Sequence, residues 1–531
     1  MPIDDRWHDD CLSSVPQFKS GLGAAILMGS ALSATVAFTP AAIAAADCAG
    51  MAKLALPDVT ITSATVVQAA APVPEYCKLL GTLETSIDFE VALPTIAWNG
   101  KLFFAGGGGF NGSIPNLTQG LARGYAAAGS DTGHKGSNSQ DGRWAFKNPR
   151  AQINYGHRAT HLVAGLAKQI VSAYYGEKER RSYFVGCSNG GKMGLTELQR
   201  YPNDFDGLVV GDPVIDRTQL MMSYTWNARA LAPAPIPPTK LPLIEKATLA
   251  ACDAQDGLTD GLIDSPARCK FDPKTLMCPA GDAPDCLTAG QVQALEKLFA
   301  GPRNSAGTRL YPGFVPGHED DYQAFITGNG TLNANPASTW AFQDQFMRYF
   351  VFDTGFNPVE EFDFDKHLAA LAPFAADQDA ASTDLSPFKA RGGKLIMYHG
   401  WADHSITPLR TVEYFGDVRK THGTATDEFV RLFMVPGLHH CTKGPGPNSF
   451  GGPNQGHAPK NDAEHDIVTA LDVWVEQGIA PTKIIATKFV SDDPKQGVAR
   501  TRPLCPYPQV AHYTGSGDIK DAANFACVDE K

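Results

Sequence analysis

The pentapeptide Gly186-Cys187-Ser188-Asn189-Gly190 has the pattern G-x-S-x-G. A serine in this pattern lies on a tight turn between a strand and a helix, which exposes its hydroxyl, and the small glycines leave room for the turn. Residues 182–186 are typical of a short buried strand, and residues 192–199 are typical of a helix. A plain glycine turn is the alternative, but these flanks favour a nucleophile at Ser188.

A serine hydroxyl becomes an effective nucleophile when a base removes its proton and an acid orients that base. Asp403 follows the predicted strand 394–399, and His440 follows the predicted strand 430–435. In proteins whose nucleophilic serine lies on a turn between a strand and a helix, these three groups follow one another along the chain in the order Ser, Asp, His. We therefore predict Asp403 as the orienting acid and His440 as the general base.

Ten cysteines remain when Cys11, which lies in a predicted leader, is set aside. Ten cysteines can pair as disulfides in an oxidising compartment, and no C-x-x-C pair with partner histidines suggests a metal site instead. Pairing neighbours leaves two cysteines for each other, although the sequence alone does not fix this connectivity. The resulting pairs are Cys48 with Cys77, Cys252 with Cys269, Cys278 with Cys286, Cys505 with Cys527, and Cys187 with Cys441.

The pair of Cys187 and Cys441 bears on the choice of catalytic residues. His404 is adjacent to Asp403 and His439 is adjacent to His440, so the catalytic residue could be assigned one position away in either case. If Cys187 bonds Cys441, their neighbours Ser188 and His440 are brought together covalently. That geometry favours His440 over His439.

The tetrahedral intermediate of ester cleavage needs hydrogen-bond donors for its oxyanion. The backbone N–H of Asn189, directly after the nucleophile, is one candidate. A second should come from an earlier glycine turn after a strand, and Gly106 to Gly109 follows the apolar run 102–105. We predict Gly108 as the donor. A phosphate-binding loop is the alternative for this turn, but G-x-x-x-x-G-K-[ST] does not occur in the sequence.

The whole chain has 531 residues, which predicts two packed units. The formal net charge of −11 argues against a nucleic-acid partner. Residues 1–46 read as a signal peptide, with Lys19 before an apolar run and small residues at Ala44 to Ala46. We expect a secreted or periplasmic protein that keeps no stable membrane anchor after cleavage. No oligomeric state is predicted.

Strand-like and helix-like segments alternate in residues 47–214 and 381–531, which indicates an α/β fold with a parallel-type sheet and helices on both faces. Between these two parts, residues 215–380 are rich in Pro, Ala and Asp, and strand patterns are scarce. We interpret residues 215–380 as a lid domain inserted into the α/β domain.

With these residues in hand, the chain resembles the tannase and feruloyl esterase family, which includes terephthalate-monoester hydrolases. The matching motifs are 186–191, Arg200-Tyr201-Pro202, Phe205-Asp206-Gly207, Asp403 and His440-Cys441. The resemblance implies an α/β-hydrolase fold, the five disulfides given above and a secreted serine ester hydrolase. Its small-molecule substrates would be feruloyl or other hydroxycinnamoyl esters, cleaved through an acyl-enzyme. Galloyl esters or terephthalate monoesters are alternatives, as are acyl transfer to an alcohol and a catalytically silent binding protein.

The resemblance also implies a structural calcium ion in the lid. Several aspartates lie close together between Cys252 and Cys269, and like charges at this spacing repel one another unless a hard cation takes their oxygens. A solvated acidic turn is the alternative. The implied ligands are the side chains of Asp253, Asp256 and Asp260 and the carbonyls of Leu258 and Leu262.

Substrate choice should lie in the lid, where residues 340–352 are rich in aromatic side chains. Trp340 and Phe346 are candidates for the wall of a pocket that holds a flat aromatic acid, although such a run also suits core packing. Arg348 is a candidate partner for a substrate carboxylate or phenol. The sequence shows no unambiguous carboxylate-binding pattern of the terephthalate-monoester type.

Overall fold

The computed structural model describes residues 47–330, 337–455 and 458–530. The predicted signal peptide lies outside these residues. The described strands are β1 (Val59–Val67), β2 (Tyr76–Leu83), β3 (Ile87–Pro94), β4 (Lys101–Ala105), β5 (Ala126–Ser130), β6 (Arg181–Cys187), β7 (Gly207–Gly211), β8 (Lys394–Gly400), β9 (Val430–Val435), β10 (Ile484–Phe489), β11 (Val498–Leu504), β12 (Gln509–Tyr513) and β13 (Phe525–Asp529).

Nine of these strands form the central sheet, in the order β1-β2-β3-β5-β4-β6-β7-β8-β9. The pairs from β5 through β4, β6, β7 and β8 to β9 are parallel. β1, β2, β3 and β5 pair antiparallel at the other side. The remaining described strands form two antiparallel hairpin-like sheets, β10 with β11 and β12 with β13.

The described helices are α1 (Thr118–Leu121), α2 (Pro149–Ile153), α3 (Ala159–Tyr175), α4 (Asn189–Arg200), α5 (Arg217–Leu231), α6 (Leu241–Cys252), α7 (Ala289–Ala300), α8 (Ser338–Phe346), α9 (Pro358–Glu361), α10 (Leu368–Gln378), α11 (Ser386–Ala390), α12 (Pro408–His422) and α13 (Ile467–Gln477). A π-helical turn, Asn154–Arg158, joins α2 to α3.

Both faces of the central sheet are covered by helices. On β6, Phe184 faces a core shared with α3, α4 and α12, whereas Tyr183 and Val185 face a second core shared with α1 and α13. This alternation follows from the period of two along a strand, and apolar residues on both faces are typical of a buried parallel sheet. The predicted architecture, a parallel-type sheet with helices on both faces, is confirmed.

The segment between β7 and β8 contains α5 to α11 and no strand among its described residues. It includes an apolar core of its own, in which α6 and α7 contribute Ile244, Leu295 and Leu298. The boundaries 215–380 that we predict for a lid domain stay a prediction. The absence of strands in the described part of this segment agrees with the composition of the sequence there.

Five disulfide bonds lie within the described part of the chain, and each joins two cysteines that we pair from the sequence. Two of them lie in the segment between β7 and β8, and one spans the distance between β6 and the loop after β9. The bonds join Cys48 to Cys77, Cys187 to Cys441, Cys252 to Cys269, Cys278 to Cys286, and Cys505 to Cys527. The predicted pairing is therefore confirmed for all ten cysteines.

The C-terminal helix α13 begins at Ile467. The side chain of Asp466 accepts a hydrogen bond from the backbone N–H of Thr469 at 2.8 Å, and an aspartate in that position caps a helix N-terminus. Within the described residues, no helix has the length and apolar composition needed to cross a bilayer.

Candidate active site

Ser188 occupies the turn between β6 and α4 in a backbone conformation that L-residues rarely adopt, with φ 62° and ψ −122°. Its N–H donates to the carbonyl of Gly211 on the neighbouring strand β7 at 3.0 Å. A Cβ on Gly186 would lie only 2.5 Å from the carbonyl oxygen of Gly190. Position 186 therefore has no room for a side chain where strand and helix pass closely, and a Cβ on Gly190 would lie 3.0 Å from the backbone of Gly106. The strained backbone of Ser188 is typical of a functional position.

His440 and Asp403 lie together at the ends of β9 and β8. The Nδ1 atom of His440 is 2.7 Å from Oδ2 of Asp403. The other carboxylate oxygen of Asp403 accepts hydrogen bonds from the backbone N–H groups of Ser405 and Ile406, both at 2.8 Å. These bonds fix the carboxylate, which in turn orients the imidazole through Nδ1. The Nε2 atom of His440 takes no part in the contact with Asp403.

The charges of His440 and Asp403 stabilise each other. Burial lowers the pKa of His440, but the carboxylate of Asp403 outweighs that effect through its charge and its hydrogen bond, so the pKa rises to about 9. Burial raises the pKa of Asp403, but the charge of His440 and the hydrogen bonds from His399 and His440 hold this pKa below its usual value. The carboxylate therefore stabilises the imidazolium that forms when His440 takes a proton.

The two neighbouring histidines that the sequence left as alternatives have other partners. His439 lies 3.2 Å from the Asp320 carboxylate. The ring of His404 packs edge-on against Tyr322, with ring centroids 4.5 Å apart. Of His404, His439 and His440, it is therefore His440 that lies against Asp403. His399 on β8 approaches the same carboxylate, with Nε2 3.2 Å from Oδ2.

A cavity of about 780 Å³ opens beside Ser188 and His440. The glycine turn Gly106 to Gly109 lines one part of it. Side chains from the segment between β7 and β8 line another part, and many of them are apolar or aromatic: Val214, Leu220, Met221, Tyr224, Phe325 and Phe342. A concave site of this size, with apolar side chains on one part of its wall and polar side chains on another, suits a small organic ligand.

The disulfide Cys187–Cys441 lies directly behind the two catalytic candidates. It bonds the residue before Ser188 to the residue after His440, and its Cα atoms are 6.0 Å apart. The sequence separation of 254 residues means that the nucleophile turn and the histidine loop come from distant parts of the chain. The covalent bond therefore limits their relative movement.

Asn189 and the glycine turn are also brought together. The side-chain Nδ2 of Asn189 donates to the carbonyl of Gly107 at 3.1 Å. The backbone N–H of Asn189 belongs to the first residue of α4, where a helix offers no intrahelical acceptor. Gly108 is exposed at the cavity, and a Cβ there would meet nothing within 4 Å. Their roles as oxyanion donors stay predictions, but their placement suits them.

Arg217 is a cavity residue that the sequence analysis missed. Its side chain is only 2% exposed, and it lines the cavity from the start of α5. Nη2 donates to Oδ1 of Asn189 at 2.6 Å, whereas Nε is buried without a hydrogen-bond partner among the described residues. The guanidinium also lies over the rings of Phe110 and Tyr155. No local pattern marks this arginine, because its burial arises only from tertiary packing.

The predicted pocket residues Trp340, Phe346 and Arg348 are not among those that line this cavity. Phe346 is fully buried in an aromatic core, and Arg348 bonds to Asp344 at 2.7 Å and to the Thr354 carbonyl at 2.8 Å. Trp340 is half-buried elsewhere on α8. Phe342 is the aromatic residue of this helix that faces the cavity, because the helix turns that side chain toward Phe110.

The acidic loop Asp253 to Leu262 closes on itself through hydrogen bonds. Asp253 accepts bonds from the backbone N–H groups of Asp260 and Gly261, at 3.2 and 3.1 Å. Asp260 also pairs with Arg502. Oδ2 of Asp256 is buried and has no hydrogen-bond partner among the described residues. This orphaned oxygen fits a hard cation, which would supply the missing partner.

Comparisons with known proteins agree with this geometry. A model of the family described as tannase and feruloyl esterase matches residues 71–528. An uncharacterized esterase of Xanthomonas campestris pv. campestris is 38% identical, over 94% of this chain and 94% of that protein. The mono(2-hydroxyethyl) terephthalate hydrolase of Piscinibacter sakaiensis is 34% identical, over 88% of this chain and 87% of that protein.

Among solved structures, feruloyl esterase B from Aspergillus oryzae superimposes with a TM-score of 0.81 at 27% identity. The superposition covers 91% of this chain and 99% of that one. The predicted α/β-hydrolase fold is thereby confirmed, and so is the resemblance stated from the motifs. The chain belongs to the tannase and feruloyl esterase family of carboxylic ester hydrolases.

Proposed function

We propose that this protein hydrolyses esters of aromatic carboxylic acids, in the first place feruloyl or other hydroxycinnamoyl esters, through an acyl-enzyme on Ser188. The observation that carries the proposal is the 2.7 Å contact between His440 and Asp403. It lies at the cavity into which the strained turn presents Ser188.

In the first step, His440 accepts the proton of the Ser188 hydroxyl while the serine oxygen attacks the ester carbonyl carbon. The backbone N–H groups of Asn189 and Gly108 stabilise the negative oxygen of the tetrahedral intermediate. When the intermediate collapses, the bond to the alcohol breaks, and His440 returns its proton to the leaving oxygen. Asp403 keeps its negative charge and stabilises the imidazolium throughout.

In the second step, a water molecule takes the place of the alcohol. His440 removes a proton from this water, the hydroxide oxygen attacks the acyl carbon, and a second tetrahedral intermediate forms. Its collapse releases the carboxylic acid and returns the proton to Ser188. Both steps use the same base and the same oxyanion donors, so one site serves both.

The cavity supports an aromatic acyl group. Phe325 and Phe342 line it from two different helical segments, and Tyr224 adds a third ring. Flat apolar walls of this kind bind an aromatic ring well, because stacked or edge-on rings gain contact and electrostatic energy. The solved relative that is named a feruloyl esterase supports the same substrate class.

A second candidate is an ester of an aromatic dicarboxylic acid, such as a terephthalate monoester. Arg217 favours it, because a buried guanidinium in the cavity with no carboxylate partner among the described residues can bind a substrate carboxylate. The relative from Piscinibacter sakaiensis, which is named a terephthalate-monoester hydrolase, supports this reading.

We further propose export to an oxidising compartment and a structural calcium ion. Five disulfides support export, because such bonds persist outside the reducing cytosol. The ion would be held by Asp253, Asp256 and Asp260, with the carbonyls of Leu258 and Leu262. Bound there, it would neutralise the carboxylates of the acidic loop, and it would take no part in the steps at Ser188.

One panel tests the proposed function. Purified protein is assayed on methyl ferulate, methyl gallate and mono(2-hydroxyethyl) terephthalate, with Ser188→Ala as the control. We expect turnover of at least one aromatic ester and none above background in the variant. If no ester turns over faster than with Ser188→Ala, the proposal fails.

A further inference from the structure

Three side chains of types that can bind a metal ion lie close together outside the active site. They belong to His161 on α3, Glu197 on α4 and Asp204 in the loop before β7. One ligand atom from each residue lies within 4.8 Å of the others. Glu197 is nine residues after Ser188 along α4, which at 1.5 Å per residue is roughly 13 Å away. The cluster is therefore separate from the catalytic cavity.

We propose that His161, Glu197 and Asp204 form a binding site for one divalent transition-metal cation, of which Zn²⁺ is the best match. Atoms that bind the same zinc ion lie about 2.0 to 2.2 Å from it, so they lie within about 4.4 Å of each other. The three ligand atoms all lie within 4.8 Å of one another. Binding would require small side-chain shifts, including a separation of Nδ1 of His161 from Oδ2 of Asp204, which lie 2.6 Å apart, and no rearrangement of the fold.

Glu197 is the strongest evidence for a missing ligand. Its side chain is 1% exposed, and no N–H or hydroxyl donor among the described residues reaches either carboxylate oxygen; the carboxyl group of Asp204 lies beside them. Burial, and next the negative charge of Asp204, raise the pKa of Glu197 well above its usual value. An unpaired buried carboxylate is costly, and a cation beside it would remove that cost.

The nearest lysines do not fill this role. Lys168 donates to the backbone carbonyl of Asp204 at 2.5 Å, and Lys192 donates to the backbone carbonyl of Gly156. Both ammonium groups are thus directed to main-chain oxygens. The carboxylate oxygens of Glu197 are left without them.

His161 is already held in position for binding. Its Nδ1 is 2.6 Å from Oδ2 of Asp204, and its ring stacks on Tyr201 with centroids 3.9 Å apart and an interplanar angle of 7°. Zn²⁺ would replace the proton between Nδ1 and the carboxylate, and this proton would be released to solvent. The two carboxylates would then balance the charge of the ion.

The donor set decides the kind of cation. One imidazole nitrogen with two carboxylates suits Zn²⁺ better than Ca²⁺, which takes six to eight oxygen ligands. His161 and Asp204 are partly exposed, so water can complete the coordination and the ion can enter. Bound Zn²⁺ would join α3 to α4 and to the loop before β7, and we expect it to stabilise the fold.

Isothermal titration of the full-length protein with ZnCl₂ tests the proposal. The protein is first stripped with a chelator and then returned to saturating Ca²⁺, so that the proposed lid site does not compete. We expect one Zn²⁺ per chain and a rise in melting temperature. In His161→Ala and in Glu197→Gln, the affinity should fall at least about tenfold, since even residues behind the direct ligands contribute that much.

His465→Ala is the matched control. His465 and Asp462 form an exposed pair at 2.7 Å that belongs to no three-ligand group in the described part of the chain, so this variant should bind Zn²⁺ like the parent. Ester hydrolysis by His161→Ala without added zinc shows whether the variant is folded. Crystals grown with zinc should show an anomalous peak between the three ligands.

Two results would overturn the proposal. The first is a failure of the titration, in which either the parent protein takes up no zinc or the zinc affinity is unchanged in both His161→Ala and Glu197→Gln. The second is an anomalous peak at the His440 and Asp403 pair with none at His161. The anomalous peak locates the bound zinc ion directly, so it tests the proposed ligands even if Glu197→Gln fails to fold.

Discussion

The buried carboxylate of Asp212 accepts a hydrogen bond from the backbone N–H of Cys441, the residue directly after His440, at 2.7 Å. Its other oxygen accepts a bond from the N–H of Gly400 at 2.8 Å. Asp212 follows β7, and Gly400 ends β8. The Asp212 side chain therefore links the ends of these two strands to the loop that contains His440 and Cys441. We assign Asp212 as a positioning residue for His440.

Asp212→Asn should move the pH dependence of catalysis. His440 accepts a proton only when it is neutral, so activity is lost as the pH falls through its pKa, which is raised above the usual 6.5. The charge of Asp212 contributes to that rise, after the contribution of Asp403. Without it the pKa falls, and the acidic limb of kcat/KM against pH should shift to lower pH. A uniform loss of activity with an unmoved limb would show that Asp212 has a merely structural role.

Removing the Cys187–Cys441 bond should reduce both activity and stability. The bond closes a loop of 254 residues, and in the chain-entropy model such a loop contributes on the order of 5 kcal/mol to the free energy of unfolding. Cys187→Ala with Cys441→Ala should therefore lower kcat sharply and unfold at lower denaturant concentration. The double variant Cys505→Ala with Cys527→Ala, which removes a bond of only 22 residues' separation, is the control. Full activity in the first double variant would refute the role of this bond in holding the site.

Arg217→Gln should change the choice of acyl group. The guanidinium would bind a carboxylate on the substrate, and a charged hydrogen bond contributes about 1.5 to 3 kcal/mol. The kcat/KM for mono(2-hydroxyethyl) terephthalate, divided by that for methyl benzoate, should therefore fall about tenfold or more. The ratio cancels any general effect on Asn189, to which Arg217 also bonds. An unchanged ratio would exclude Arg217 as the carboxylate partner.

Chelation of calcium should lower the melting temperature, and added Ca²⁺ should restore it. The reason is the buried oxygen of Asp256, which has no hydrogen-bond partner among the described residues and which the proposed ion would satisfy. Asp256→Asn should weaken the response to Ca²⁺, whereas Asp285→Asn, at an exposed position of the same segment between β7 and β8, should leave it intact. A melting temperature that is the same in a verified calcium-free sample would contradict the site.

The features that the sequence predicted well are local or covalent. The turn around Ser188 is encoded by its own glycines, and the strands before Asp403 and His440 are continuous apolar runs. The cysteine pairing then brought distant residues together. These signals were enough for the fold class, for Ser188 and His440, which line the cavity, and for Asp403, which contacts His440.

The features that the sequence missed depend on packing between distant elements. Asp212 and Arg217 carry no motif, and their positions become informative only when β8, α5 and the glycine turn are assembled. On α8, the choice between Phe342 and Phe346 depends on which face of the helix meets the cavity, and both faces carry aromatic side chains. Composition there could not distinguish a pocket wall from a core.

The central claim is that Ser188 carries the acyl group. The most direct test is an acid-quenched reaction with methyl ferulate, followed by peptide mass spectrometry. We predict one feruloyl group on the peptide that contains Ser188, and none in Ser188→Ala. Ester turnover with the acyl group on another residue, or undiminished turnover by Ser188→Ala, would contradict the account.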